Sequence, residues 1–600
     1  MRPRVADPPS VLYGGWSASG VAGRLAVIVT CLVAPGVARA QDQGADPSCP
    51  AGRVTAVEIR NGSIFDPNAT ESSFLGTMYR AANMAHVRTR EGFIRSELLL
   101  EEGDCFDPVL AEDSQLILDR HGFLRQAVLR AEDDGQGGRR LVVETSDEWS
   151  LGMWLGITYD EGVNLERVHV SERNFLGRGI VAEASLDQYR DRNDRALRLY
   201  TPRLFGRGEL TLSWGRARRG DFLGLVLAYP FVGETGRFSL RQAYSRSPTD
   251  FTYATGGRED FTHVVVPVRR EAFGLAAARR FGEPDRSTIF GISIALQNAL
   301  FPGDPERVFG SDFGSGDTTD YADLNEGIVR HRRPLGGIRM AVHLGARHFR
   351  YQEFRGLDAV REEQTVGLGF FAGMSVGRGL GLLAPDGVPE DSDSYVRTHA
   401  SFGRVLGGAL FHGGTTVEAR RGEGWRDILA EGDVVAYGRA SWLPHQTVFA
   451  RASFAGGWRV EVPFQLTLGG RDGVRSLHED QFPGGREVVF TLEDRIALPW
   501  PRWGVGDLGA TVFADLGRVW HGDVPYGVDS GWKGGVGIGL RIAVPSGSRI
   551  VLRPDVTFPL GPGRGDPIVR ITVETNRIRA GFFTPELSRS RQFRRGPEHF

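Results

Sequence analysis

Two carboxylates near the C-terminal end, Glu493 and Asp515, occupy positions where strand alternation would gather charge on one face. Across Glu487–Leu498, Glu493 shares a face with Thr491 and Arg495, opposite Phe490 and Leu492. In the next alternating segment Asp515 aligns with Thr511 and Phe513, opposite Val512 and Ala514. Carboxylates held this way accept a guanidinium through a bidentate fork, and Arg475 lies upstream in a glycine-rich stretch after Gly469-Gly470. Other patterns fit chemistry less well. Gly373-Met374-Ser375-Val376-Gly377 has the spacing of an esterase nucleophile elbow, which needs a strand-to-helix turn with acid and histidine partners following. Here it sits inside an alternating strand. Gly535, Gly537 and Gly539 imitate a nucleotide fingerprint, but no helix follows, so they read as glycines on the inner face of a strand. The 13 histidines show no metal-ligand spacing. No catalytic residue, metal or cofactor is expected.

The compartment follows from the first 40 residues. Arg24 supplies a positive n-region, Leu25 to Val33 an apolar h-region, and Ala38-Arg39-Ala40 a small-x-small cleavage site before Gln41. That apolar run is about half of the ~20 residues a spanning helix needs. Cys31 should leave with the signal, so Cys49 and Cys105 remain, in an export compartment where disulfides persist. They are the expected disulfide. Gly, at 81 of 600 residues, is enriched, the net charge is only −2, and Lys533 is the sole lysine. Nothing basic enough to hold nucleic acid is present.

After a polar leader, 41–52, residues 53–147 read as a mixed α and β module. Val54 to Ile59 is a short strand; Phe74, Met78, Ala82 and Ala85 recur at helical spacing. Asp107-Pro108 opens a second helix, with Asp as cap and Pro at the first turn. Leu110, Ile117 and Leu118 give that helix its apolar face, and His121-Gly122 ends it. Ala127 to Arg130 and Arg140 to Glu144 are strands. From residue 148 to 578 the text alternates apolar and polar residues in segment after segment. Leu210, Leu212 and Trp214 oppose Glu209, Thr211 and Ser213; Val569, Ile571 and Val573 oppose Ile568, Arg570, Thr572 and Glu574. So long a run of hairpins closes most readily as an antiparallel membrane barrel with an even strand number, apolar side chains to lipid and polar ones to the lumen. Short turns at Pro202–Gly208 and Pro545–Ser548 alternate with longer loops near 247–260, 302–330 and 380–393. Residues 579–600 form a tail without an assignment.

Module and barrel together resemble the BamA/TamA superfamily of outer-membrane assembly proteins. The stretch Phe93 to Leu129, "FIRSELLLEEGDCFDPVLAEDSQLILDRHGFLRQAVL", is similar to a POTRA module. Asn174-Phe175-Leu176-Gly177-Arg178-Gly179 is similar to a turn between early barrel strands. Val462 to Pro499 resembles the family's long sixth extracellular loop with the strand after it, and Val512 to Trp520 the next strand. The resemblance implies 16 strands, although hairpins counted directly approach 20. It also implies that Arg475 folds into the lumen and pairs with Glu493 and Asp515. The family's Val-Arg-Gly-aromatic loop motif reads Val474-Arg475-Ser476-Leu477 here, so the Gly and the aromatic are replaced.

The functions in competition are barrel insertion and assembly, polypeptide secretion of the two-partner kind, and a plain porin or enzyme barrel. A periplasmic module argues against the porin, and a single module against secretion, where two are usual. Assembly leads. The implied partners are the outer-membrane bilayer, unfolded outer-membrane or secreted client polypeptides, and periplasmic or lipoprotein subunits, with no nucleic acid.

Overall fold

The computed structural model describes residues 49–574 except 66–72, 136, 160–162, 190–191, 257–261, 309–325, 390–391, 440–444, 471–472, 479–480, 500–505 and 562–564. The signal, most of the leader and the C-terminal tail lie outside these residues. Cys49 and Cys105 are each disulfide-bonded.

The N-terminal module is built on a three-stranded sheet, with β1 (Val54–Gly62), β2 (Leu124–Asp133) and β3 (Arg139–Asp147) in the order β1-β3-β2. β3 is central, parallel to β1 and antiparallel to β2. Three helices join them: α1 (Ser73–Ala85), α2 (Glu91–Glu97) and α3 (Pro108–Asp119). α3 starts where the sequence places it, and the Asp107 carboxylate accepts the Val109 N–H at 2.8 Å. The apolar stripe read for α1 needs correction. Phe74 and Met78 face outward, and the helix is held instead by buried Tyr79, stacked on Phe65 with ring centroids 4.6 Å apart. The core joins Ile94 and Leu98 to Leu118, Leu124 and Val143.

Among the described residues, the remainder is a 21-strand antiparallel sheet ordered as a barrel, with Ile568–Glu574 beside Leu151–Tyr159 in that order. One of the strands, Glu306–Val308, has three residues. The other 20 are long, so the expectation of 16 is corrected and the hairpin count stands. The physical reason is that each alternating segment finds partners on both sides, and an unpaired segment would leave a row of backbone groups unsatisfied. The loop expected near 247–260 is also corrected. It is strand as far as Ala254, within the hairpin of Phe238–Ala254 and His263–Gly282. Those strands run 17 and 20 residues, against the roughly 9–11 that cross a bilayer. Their far ends are covered on both faces: Phe251, Tyr253, Val264, Val266 and Val268 pack with Ile328. Burial on both faces erases the alternation by which a strand is read. No helix among the described residues is long and apolar enough to cross a membrane.

The module docks on the barrel's short turns. Both oxygens of Asp113 on α3 are used: Oδ1 accepts Glu234 N–H at 2.7 Å, and Oδ2 accepts the Thr235 N–H at 2.9 Å and its hydroxyl at 2.7 Å. Arg120 Nη2 lies 2.7 Å from Glu234 Oε1 and Arg203 Nε 2.8 Å from Glu97 Oε1. Burial pushes the Glu97 carboxyl up, but His121 and Arg203 outweigh it and hold the group below the usual carboxylate range. That contact is therefore fully present above the ordinary carboxylate pKa and is lost as pH falls through the depressed one. Asn174 Nδ2 donates to Thr89 Oγ1 at 2.7 Å, and Arg90 N–H donates to Gly177 O at 2.9 Å. Gly177 has φ +68°, and a β-carbon there would stand 2.2 Å from Arg88 O, so this turn admits only glycine.

Two outcomes are expected. A hydrogen-bonded barrel resists detergent, so unboiled protein should migrate differently from boiled protein on an SDS gel; identical migration would sink the barrel. In denatured, unreduced mature protein, neither Cys49 nor Cys105 should take up a maleimide, and both should after reduction. A bridge between them closes a loop worth about 4 kcal/mol in the chain-entropy model.

Candidate functional site

The segment between the strands Gln446–Trp458 and Arg486–Ala497 folds back on itself through a short ladder, Leu466–Thr467 with Pro483–Gly484. Its tip is a tight turn: Leu477 N–H donates to Val474 O at 3.0 Å, and Val474 N–H to Leu468 O at 2.9 Å. Val474 and Leu477 are buried with Leu468, Val489 and Val519, which fixes the tip against the wall strands. Wall glycines make the approach possible. A β-carbon at Gly517 would come within 2.8 Å of Leu468 and Val474, and one at Gly535 within 2.1 Å of Ser476 Oγ. The departures from the resembled motif thus have a local account. Ser476 fills the hollow over Gly535, and Leu477 supplies apolar packing where an aromatic would stand.

Arg475 projects from this tip into a buried charge cluster. Its Nε and Nη2 donate to Asp515 Oδ2 and Oδ1, both at 2.8 Å, in the planar fork that only arginine offers. Nη1 donates to Glu493 Oε1 at 2.7 Å. The guanidinium carbon lies 3.6 Å from the centroid of the Phe513 ring, which itself lies so close to Gly537 that a β-carbon there would come within 2.3 Å of it. The backbone is tied as well: Arg475 O accepts Thr557 Oγ1 at 3.2 Å and Arg570 Nε at 3.0 Å. The structure therefore brings together Val474, Arg475, Ser476, Leu477, Glu493 and Asp515.

Several members were not singled out from the sequence. Glu493 also receives Arg495 Nε at 2.9 Å and lies 3.4 Å from Arg553 Nη2, which is 3.2 Å from Asp555 Oδ2. Thr491 Oγ1 donates to Asp515 Oδ1 at 2.9 Å. Arg541 and Asp358 complete the group: Arg541 donates to the Asp358 carbonyl, and Arg495 Nη1 lies 3.2 Å from Asp358 Oδ1. Four guanidinium groups thus face four carboxylates. Arg495 sits on a strand whose alternation is legible, but neither it nor Arg541, Arg553 and Asp555 can be paired across strands from the sequence alone. Asp358 gave one faint signal, an apolar Leu357, Ala359 and Val360 in a turn that should have been polar.

Ser375 remains inside the strand Glu363–Gly379, with no strand-to-helix turn. Its hydroxyl is 2.8 Å from His343 Nδ1, and the other ring nitrogen faces Ser293 Oγ at 2.8 Å rather than a carboxylate. The arrangement has no acid to orient the imidazole. Among the described residues, no group of three His, Cys, Asp or Glu is placed to hold a metal ion.

The chain matches no family model and no curated protein. Among solved structures it is similar to BamA from Haemophilus ducreyi lacking POTRA domains 1-3, at 12% identity and TM-score 0.36, covering 86% of this chain and 85% of that one. It is also similar to CdiB from Acinetobacter baumannii, at 12% identity and TM-score 0.37 over 87% and 74% of the two chains. CdiB from Escherichia coli gives 11%, 0.34, 90% and 92%. The fold described above rests on the strand registers and not on these likenesses.

Removing Arg475 leaves Asp515 with Thr491 and the Arg475 backbone N–H, whereas Glu493 keeps Arg495 and Arg553. Arg475→Ala should therefore destabilise the barrel by about 3–5 kcal/mol, the cost of stranding a buried charge, read as a lower unfolding temperature. Arg475→Lys should rescue poorly because it loses the fork. The Arg475→Ala/Asp515→Asn pair should show non-additivity of roughly 0.5–3 kcal/mol, larger than Arg475→Ala/Glu493→Gln. Fully additive losses would show that the fork does not hold the loop.

Proposed function

We propose that this chain is an outer-membrane β-barrel protein that assists the insertion and assembly of other proteins into the outer membrane, with its N-terminal POTRA-like module in the periplasm. The observation that carries the reading is the pairing of two features in one chain. A wide barrel holds its long loop inside through Arg475, and an α and β module sits on its short turns. A plain pore needs neither. The first 40 residues direct export, and outward alternation places Phe490, Leu492, Val512, Leu516, Ile538 and Leu540 on the exposed face a bilayer would cover.

In this reading the barrel closes within the bilayer between its first and last strands, and the module's edges receive clients. β1 and β2 are the edge strands of the module sheet, and an extended, unfolded segment adds to such an edge by main-chain hydrogen bonds. The chemistry is recognition and guidance without bond making, so the protein acts as an assembly factor and not as an enzyme. Periplasmic or lipoprotein subunits would bind the module's outer surface. Secretion of a dedicated polypeptide is the alternative that the same architecture serves.

Depletion of the protein followed by quantitative outer-membrane proteomics separates the two. Loss of many barrel proteins is the expected result. Loss of one exported polypeptide, with the barrel proteins unchanged, would overturn assembly in favour of secretion.

A further inference from the structure

The turn between the strands Leu335–Arg355 and Glu363–Gly379 lies at the same end of the barrel as the short turns that carry the module, yet it does not face solvent. Leu357, Asp358, Ala359 and Val360 are all buried, with Asp358 only 2% exposed. A single side-chain oxygen organises them: buried Gln364 Oε1 accepts the N–H groups of Leu357, Asp358 and Ala359 at 3.2, 2.9 and 3.1 Å. Leu357 then packs on Leu410, Tyr437 and Phe449. Val360 packs on Ala543 and Val551, on strands that six and seven others separate from the turn's own along the sheet. A turn that touches walls so far apart in strand order crosses the lumen.

Its tip meets the cluster that holds the outer loop. Asp358 Oδ1 accepts the Tyr437 hydroxyl at 2.7 Å and lies 3.2 Å from Arg495 Nη1, which also donates to Leu357 O at 2.8 Å. Arg495 turns its Nε to Glu493, and the other oxygen of Glu493 receives Arg475. One wall carboxylate is therefore shared, through two arginines, by a loop entering from one end and a turn entering from the other. The guanidinium of Arg495 packs against the neighbouring rings of Phe449 and Tyr437, 4.0 and 5.7 Å from their centroids.

We propose that residues 356–362 are an inner plug of the lumen, and that the Glu493–Arg495 pair couples this plug to the Arg475 loop, so that release of one loosens the other. The loop and turn close the barrel from opposite ends, and the buried pair makes their closure cooperative. This goes beyond the assembly reading and stands equally if the barrel serves secretion. Proteomics tests that reading, whereas the experiment below reads only the plug.

Linkage makes the coupling reciprocal, which gives the test two directions. With full-length protein in liposomes, Ser476→Cys places a thiol at the buried loop tip, to be labelled by a membrane-impermeant maleimide added on the loop side. Asp358→Asn in that background should raise the labelling rate by about tenfold, within the range usual for coupled sites. Tyr437→Phe should raise it less, in the same direction. Conversely, Leu357→Cys should be labelled faster from the module side when Arg475 is replaced by alanine. Heat-modifiable migration on gels certifies that each variant is a folded barrel, and Tyr437→Phe keeps the test alive if Asp358→Asn does not fold. Both rates rising supports the proposal. Folded variants in which either rate stays at the parent value would overturn it, leaving two independent plugs or a purely local turn. In planar bilayers, Asp358→Asn should also lengthen the conducting fraction of the recording; an unchanged fraction would overturn the plugging role.

Discussion

The carboxylate of Glu493 is surrounded on the inner wall by Arg475, Arg495 and Arg553, and through the first two it holds both the outer loop and the inner turn. Desolvating an ion costs several kcal/mol, which only close, well-oriented partners offset. A lone arginine from a loop could not do this for Glu493 and Asp515 together. The arrangement reaches balance with four guanidinium groups against four carboxylates, and aromatic faces at Phe513 and Phe449 take up the surfaces of two cations. That balance dictates geometry. The loop tip must reach Asp515, the inner turn must bring Asp358, and the wall opposite must be bare enough to admit both. Gly535 and Gly537 supply the bare wall.

Barrel diameter explains why such filling is needed. Interior width grows with strand number, and about eight strands already leave room for a packed core of side chains. Twenty long strands enclose more volume than wall side chains can fill. The chain closes that volume with backbone from two directions, which then has to satisfy its own polar groups away from bulk water. The three N–H groups gathered by Gln364, and the Arg475 carbonyl held by Thr557 and Arg570, are that satisfaction.

Strand alternation made most of this fold legible, because a wall with an apolar outer face and a polar interior writes its pattern residue by residue. The faces of Glu493 and Asp515 were readable for that reason. Legibility failed where the two-sided environment ends. The outer halves of Phe238–Ala254 and His263–Gly282 are covered on both faces, so Val264, Val265 and Val266 form an unbroken apolar run without strand periodicity. Phe74 and Met78 misled in the other direction, an apolar helical spacing that the module core does not use. The partners of Arg475 came from resemblance joined to periodicity, whereas Asp358 depends on a turn folding inward, which local sequence does not encode. The strand number came out higher than the resemblance implied because each additional hairpin is stabilised by its neighbours and not by the family's usual count.

The inner turn also ends near the docked module. Glu362 closes the turn, its carboxyl held above its ordinary value by burial, which Arg549 and Arg125 offset only in part. Arg125 belongs to β2 of the module and donates to Ser546 O at 2.8 Å, in the turn that also places Arg549 N–H 3.4 Å from Glu148 Oε2. Arg361 of the same turn lies 3.9 Å from Asp507, which accepts the Ser546 hydroxyl and the Gly547 N–H, so the inner turn and the short turn under the module share a carboxylate. Contiguity alone does not transmit a signal; an element with two discrete arrangements is required. The 356–362 turn has the features of such an element. Its folded position depends on one carboxamide, one carboxylate and two apolar contacts, and the alternative, a solvated turn like its neighbours, satisfies the same backbone groups with water.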